Sequence, residues 1–264
     1  MEAAGAAEAA GAASPAAADR SAAAAVRGAG EMPTTMTPED LDRIAQAVAE
    51  AEKTTAGEII CILTPEVSDY RETPLVWAAA TALVLPAAAL FAGFRPEMLT
   101  RLFGGWSVGH AAAMDGAILS ALSTYIALQA VVFVLAALVV SIPSVRRALT
   151  PGALKAARVK KAAMEQFLSR GLHVTRDRTG VLIFAALAEH RVEVIADEGI
   201  YAAAPNAVWD EVVADLVAGL KRDAIADGFV AAVRRAGAIL AEHVPPRPDN
   251  RNEIANDLTI LPKR

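Results

Sequence analysis

Two long apolar runs dominate the pattern of the chain: Leu75–Gly93 and Ala117–Ile142 contain no Asp, Glu, Lys or Arg. At about 1.5 Å of rise per residue they make helices of roughly 28 and 39 Å, against a hydrocarbon layer of about 30 Å that needs about 20 apolar residues. The pattern predicts a membrane hairpin whose first helix spans almost upright and whose second tilts or protrudes. The alternative is a buried helical pair in a soluble core, but the rest of the chain is too short to wrap it. Pro86 predicts a kink in the first helix, which a neighbouring helix accommodates. Between the runs, Met98, Leu99, Leu102, Phe103 and Trp106 share one helical face that Arg95, Glu97 and Arg101 avoid. That suits either a short helix in the membrane interface or a packed turn outside it. His110 and Asp115 close this loop and read as capping or solvated residues.

Outside the hairpin, helical and strand-like patterns alternate. Thr37-Pro38-Glu39-Asp40 combines an N-cap, a Pro at the first helical position and acids in the first turn. The helix it starts is predicted to run to about Thr54 with Leu41, Ile44, Ala45 and Val48 on one face, and Gly57 is expected at a left-handed C-terminal position. Glu58–Thr64, bounded by Gly57 and Pro65, reads as a strand covered on both faces. A helix follows from Pro151 to about Arg170, with Val159, Ala162, Ala163, Gln166 and Phe167 on one side. Val181–Leu187 and Arg191–Ala196 read as two strands of a hairpin turning at Glu189-His190. The first two strands are joined by a long crossover containing a helix, so they are expected to pair in parallel. Trp209, Val212, Val213, Leu216, Val217 and Leu220 form the stripe of a further helix, and a last one runs from about Asp227 to His243, stopped by Pro245-Pro246. The tail 247–264 ends in Leu258–Leu261, which docks or adds a short edge strand. Residues 1–36 are mostly Ala with scattered Gly, Ser and Pro and are predicted to be disordered. They lack the basic start of a secretory signal, and Glu2, Glu8, Asp19 and Glu31 argue against a transit peptide. One domain therefore comes in two parts, 37–70 and 146–246, interrupted by the hairpin of 71–145.

Composition sharpens the picture in three places. A hydrophobic share of 55% and a mean hydropathy of +0.36 are high for a soluble enzyme, and the hairpin accounts for them. A net charge of -5, with no basic face and no aromatic-plus-basic run, argues against a nucleic-acid partner. Charge is nevertheless concentrated after the second run: Arg146, Arg147, Lys155, Arg158, Lys160 and Lys161 follow it, against Arg95 and Arg101 in the connecting loop. The positive-inside rule then puts both termini in the cytoplasm, with the lipid bilayer as partner. A phosphate or RNA patch is the other reading of the cluster. The lone Cys61 excludes an intrachain disulfide and a Cys-based zinc site, and its apolar surroundings make it a core residue.

Candidate chemistry falls at the two ends of the expected sheet. At one end stand Glu66 and Asp69 after the first strand, with Glu189, His190 and Arg191 at the hairpin turn. At the other stand Asp177 and the adjacent pair Asp197 and Glu198. Carboxylate oxygens are ligands for calcium, the one cofactor that these groups suggest. Asp197 with Glu198 is the candidate metal site, because it follows a strand anchored in the sheet, and the Glu66, Asp69, Glu189, His190, Arg191 cluster is the alternative. No loop has EF-hand spacing, and Asp197 as a simple cap is the competing reading. The chain has no Gly-rich phosphate loop and no Cys nucleophile flanked by Arg. Arg191 and Glu189 read more simply as a pair across a turn.

The run Thr179-Gly180-Val181-Leu182-Ile183-Phe184, followed by Ala188-Glu189-His190-Arg191-Val192-Glu193-Val194-Ile195-Ala196-Asp197, resembles the TPM domain family, most closely its bacterial membrane-associated type. The strand start Gly57-Glu58-Ile59-Ile60, Gly228 before the last helix and Asn252-Glu253 in the tail are similar too. The resemblance implies an α/β fold, a TPM-like α/β/α sandwich with the two-helix transmembrane hairpin inserted after the first strand. It also implies a family whose roles range from acid phosphatase activity and calcium binding to the assembly or quality control of membrane complexes. The chain departs from the family where Asp197-Glu198-Gly199-Ile200-Tyr201 replaces a Gly-aromatic-Gly turn. The expectation is a multi-pass protein of the bacterial inner membrane with its α/β domain in the cytoplasm. It acts on other membrane proteins as an interaction or assembly factor, the alternative being a metal-assisted, calcium-binding acid phosphatase.

Overall fold

A computed structural model describes residues 36–93, 114–205, 207–248, 252 and 254–262, and for 114–121 the backbone alone. Its helices are α1 Pro38–Glu52, α2 Glu72–Phe91, α3 Met114–Ser141, α4 Pro143–Leu149, α5 Gly152–Ser169, α6 Glu198–Ala203, α7 Val208–Lys221 and α8 Ile225–His243. Its strands are β1 Glu58–Thr64, β2 Gly180–Ala186, β3 Arg191–Ala196 and β4 Thr259–Ile260. The chain forms two units, one from the residues up to Val67 and from Ala156 onward, the other from Ser68–Lys155. The segment 94–113, with its expected interface helix and His110, lies outside the described residues, as does the Ala-rich segment before Met36.

The first unit is a mixed α/β fold with a four-stranded sheet in the order β3-β2-β1-β4. β1 and β2 pair in parallel from Glu58 beside Gly180 to Thr64 beside Ala186. β2 and β3 pair antiparallel from Val181 beside Ala196 to Ala186 beside Arg191. Both pairings are those expected from the long crossover and the tight turn. The tail supplies the edge: Thr259 and Ile260 run parallel to Ile62 and Leu63.

Every residue of β1 and β2 is buried, because alternate side chains enter two different cores. Ile59, Cys61, Leu63, Val181 and Ile183 join Ile44 and Val48 of α1, Leu216 of α7, and Phe229 and Leu240 of α8. Ile60, Ile62, Leu182 and Phe184 join Val159, Ala163 and Phe167 of α5. A strand fed from both sides has no polar face to alternate with, which is why these runs read as unbroken apolar stretches. The stripe expected on α7 is buried residue for residue, from Trp209 to Leu220.

The start of α1 is a capping box: Thr37 Oγ1 accepts from the Asp40 N–H at 3.1 Å, and Asp40 Oδ2 accepts from the Thr37 N–H at 3.2 Å. Its end differs from expectation. The helix closes at Glu52 on Lys53, which is right-handed at φ -63°, and Gly57 does not take a positive φ. What Gly57 provides is room, since an added Cβ would stand 3.0 Å from Leu240 Cδ1. Smallness, not handedness, is the property used there.

In the second unit α2 packs against α3. Pro74, Ala78, Ala82 and Pro86, spaced by four, lie on the buried side of α2, and the helix continues through Pro86 to Phe91. The other side is exposed, as at Leu75, Val76, Leu83 and Val84, and Phe91 is 94% exposed. On α3, Leu122, Ile126, Val131, Leu135 and Leu138 are exposed as well. Both helices have the length and composition of candidate membrane spans.

α7 and α8 touch through glycine: a Cβ on Gly219 would lie 2.3 Å from Gly228 Cα, so neither backbone can admit a methyl group without moving. Gly219→Ala is therefore expected to destabilise the fold by about 2–3 kcal/mol, the cost of forcing extra volume into a packed core. A lower urea midpoint by circular dichroism of the detergent-solubilised chain is the check, and an unchanged midpoint would contradict this packing.

Candidate functional site

The acids singled out by the sequence are placed by the ends of the strands, and most are put to structural use. Where β1 ends, Thr64 and Pro65 carbonyls accept from the Leu187 and Ala188 N–H groups at 3.0 and 2.9 Å, which joins the loop after β1 to the β2–β3 turn. Glu189, buried in that turn, accepts from the Val67 N–H through Oε1 at 3.0 Å. His190 takes the left-handed position of the turn at φ 53°, a conformation that His adopts more readily than most residues. Glu66 is buried beside them, and Arg191 opens β3. Asp69 belongs to the second unit, where Arg71 Nε and Nη2 donate to its Oδ2 at 3.1 and 2.9 Å.

At the other end, Asp197 continues the ladder with its N–H to the Gly180 carbonyl at 2.9 Å and caps α6, Oδ1 accepting from the Glu198 N–H at 2.7 Å. Asp197 is 6% exposed, whereas the Glu198 side chain is 78% exposed. Arg178 bridges the two: its Nε lies 3.7 Å from Asp197 Oδ2 and its Nη1 3.2 Å from Glu198 Oε2. Asp177, one residue away, pairs with Arg247 Nη1 at 2.6 Å. Each acid at this end thus faces a guanidinium, and a divalent cation would have to compete with Arg178 for both carboxylates. Among the described residues no three His, Cys, Asp or Glu side chains converge as a metal-binding group.

A residue that the sequence reading passed over is a strongly perturbed acid, Glu52. Glu52, at the end of α1, accepts from the Ile59 N–H through Oε1 at 2.9 Å and from Asn256 Nδ2 through Oε2 at 2.5 Å. Burial pushes its carboxyl up to about 7, with nearby Glu58 acting in the same direction. It joins the last turn of α1, the start of β1 and the C-terminal tail. Its position was open to inference, since Ile44, Val48 and Glu52 fall at i, i+4 and i+8 on the buried stripe.

A groove of about 570 Å³ runs between α1 and α8, rimmed by Arg43, Glu50, Asp227 and Arg234 over small residues such as Ala47, Ala51 and Gly237. Arg43 bonds Asp227 across it and Asp40 on its own helix. None of the sheet-end acids lines it.

The family model of the TPM domain matches residues 137–239. Over that span the chain is similar to the TPM domain family. The match runs from the end of α3 into α8 and takes in β2, the turn, β3 and the Asp197–Glu198 corner, so the resemblance seen in Thr179–Asp197 is to this family. α1 and β1, which the sheet requires, precede the matched span. Among solved structures, the NMR structure of BA42 protein from the psychrophilic bacteria Bizionia argentinensis is similar at a TM-score of 0.48 and 16% identity, covering 87% of this chain and 98% of that one. No curated protein matches the sequence.

The raised carboxyl of Glu52 has a defined signature. Its folded pKa of about 7 lies above its ordinary 4.5, so between those values the folded domain holds a proton that the unfolded chain has released. Stability is then greatest below about pH 4.5 and falls as pH rises towards about 7, by about 3 kcal/mol in the limit. Glu52→Gln keeps the shape and abolishes the charge, so its stability relative to wild type is expected to rise between pH 5 and pH 8. Urea midpoints of both proteins at the two pH values measure this, and parallel shifts would show that Glu52 titrates normally.

Proposed function

We propose that this chain is an integral protein of the bacterial inner membrane that acts as an interaction or assembly factor for membrane complexes. Its TPM domain is an α/β/α sandwich held in the cytoplasm, with the α2–α3 hairpin inserted after the first strand. The observation that carries the reading is the exposed apolar surface along both helices, from Leu75 to Phe91 on α2 and from Leu122 to Leu138 on α3. A patch of that extent is unfavourable in water and at home in hydrocarbon, where a helix also satisfies its own backbone hydrogen bonds. Arg146, Arg147, Lys155, Arg158, Lys160 and Lys161 behind α3 outweigh Arg95 and Arg101 in the connecting loop, which favours cytoplasmic termini.

A factor is favoured over a hydrolase by the duties of the acids. Asp197 caps α6 and pairs with Arg178, and Glu189 holds the backbone at Val67. Carboxylates committed in this way stabilise a surface that partners recognise, while a phosphatase needs groups turned towards its substrate.

Topology is tested with single-cysteine reporters in intact cells. An impermeant maleimide is expected to modify Cys in place of Ser107 and to spare Cys in place of Ser169, and the reverse pattern would invert the orientation. The factor reading is tested by titrating the purified protein with calcium and following p-nitrophenyl phosphate hydrolysis. The expectation is no turnover above buffer with or without calcium; turnover that Asp197→Asn abolishes would replace this reading with the phosphatase.

A further inference from the structure

The junction between α3 and α4 lies beside the start of α2. α3 ends at Ser141, Ile142 is extended at φ -61° and ψ 125°, and Pro143 opens α4. Two rungs then tie α4 to the first turns of α2: Thr73 Oγ1 and Thr150 Oγ1 are 3.2 Å apart, and Trp77 Nε1 donates to the Leu149 carbonyl at 3.1 Å. Trp77 keeps 40% of its surface exposed, and no charged residue follows it in α2 as far as Phe91. Ile142 is the last apolar residue of the second run, and Arg146 and Arg147 are the first charges after it. An indole whose N–H is anchored at the charged end while its ring stays open is the arrangement found at membrane interfaces.

Among the described residues, the two arginines beside this clasp have no carboxylate as ion-pair partner. Arg147 Nε donates to the Pro143 carbonyl at 3.2 Å, which fixes its stem along α4. The acids nearest in sequence on α2 and its approach are Asp69, which already bonds Arg71, and Glu72 in the first turn. We propose that the α2–α4 clasp seats the phosphate of one anionic phospholipid, with Arg146 and Arg147 as its cationic contacts and Trp77 against the glycerol region. The proposal rests on the membrane reading of the helix pair. Guanidinium groups offer paired N–H donors to phosphate oxygens, and a lipid with a net negative charge keeps the full attraction that the ammonium of a zwitterionic lipid offsets.

The test uses the full chain reconstituted in nanodiscs of equal phosphatidylglycerol and phosphatidylcholine, then stripped in mild detergent so that retained lipid is counted by native mass spectrometry. Two surface charges predict a preference of roughly thirtyfold for phosphatidylglycerol in wild type. The Arg146→Gln/Arg147→Gln protein is expected to lose it, and the Arg146→Lys/Arg147→Lys protein to keep most of it. Arg71→Gln, whose charge is already bonded, is expected to change nothing. An unchanged ratio in the Gln pair, a loss in the Lys pair equal to that in the Gln pair, or an equal loss in Arg71→Gln would each overturn the seat. Alkaline carbonate washing of the source membranes separates the two readings: release of wild type would overturn the membrane reading, whereas retention without lipid preference overturns the seat alone.

Discussion

Seven residues of β1 lie in parallel register with seven of β2, and a parallel pair cannot be closed by a tight turn. The chain that leaves Thr64 has to travel back to the Glu58 end before Gly180 can start its strand. α5 makes that return with Val159, Ala163 and Phe167 packed on Ile60, Ile62 and Phe184, so the crossover is itself one of the two cores. Once a long connection is obligatory, its length costs little more, because loop-closure entropy grows only with the logarithm of length. That is the physical reason a separate helical unit, Ser68–Lys155, can be carried between the first strand and the crossover helix.

The sheet is held at its margins by buried or capped acids that reach across the sequence. Glu52 binds the β1 backbone and Asn256 of the tail, Glu189 binds Val67, and Asp197 joins β3 to α6 and to Arg178. Removing one partner of such a contact leaves a desolvated group behind, which costs more than the bond contributes when made. These acids therefore determine where the loops sit.

Much of the sheet was readable in the sequence because its signals are local. Gly57 and Pro65 bracket an apolar run, Glu189-His190 is too short for anything but a turn, and the interval before Gly180 is long enough only for a crossover. Thr37-Pro38-Glu39-Asp40 announced α1 for the same reason. The candidate site was less readable. Asp197 and Glu198 are adjacent in sequence and promise a shared ligand, yet one is buried and the other exposed, and Arg178 between them comes from the preceding loop. Glu52 falls on the buried stripe of α1, but the partner that closes over it, Asn256, is 204 positions away. Gly57 shows the limit from another side: its need for smallness is set by Leu240, and no local rule contains that contact.

Cys61 stands in the middle of β1 at 1% exposure, its thiol pushed up by burial and further by Glu52. A thiol that is neither ionised nor reachable does not react with a disulfide reagent while the sheet is closed. Since the sequence contains one cysteine, modification of the native chain in the presence of such a reagent reports a single event, the opening of the central strand. In the limit of fast reclosing, the modification rate divided by that of a free thiol gives the open fraction of β1, so the chain contains its own gauge of local unfolding free energy.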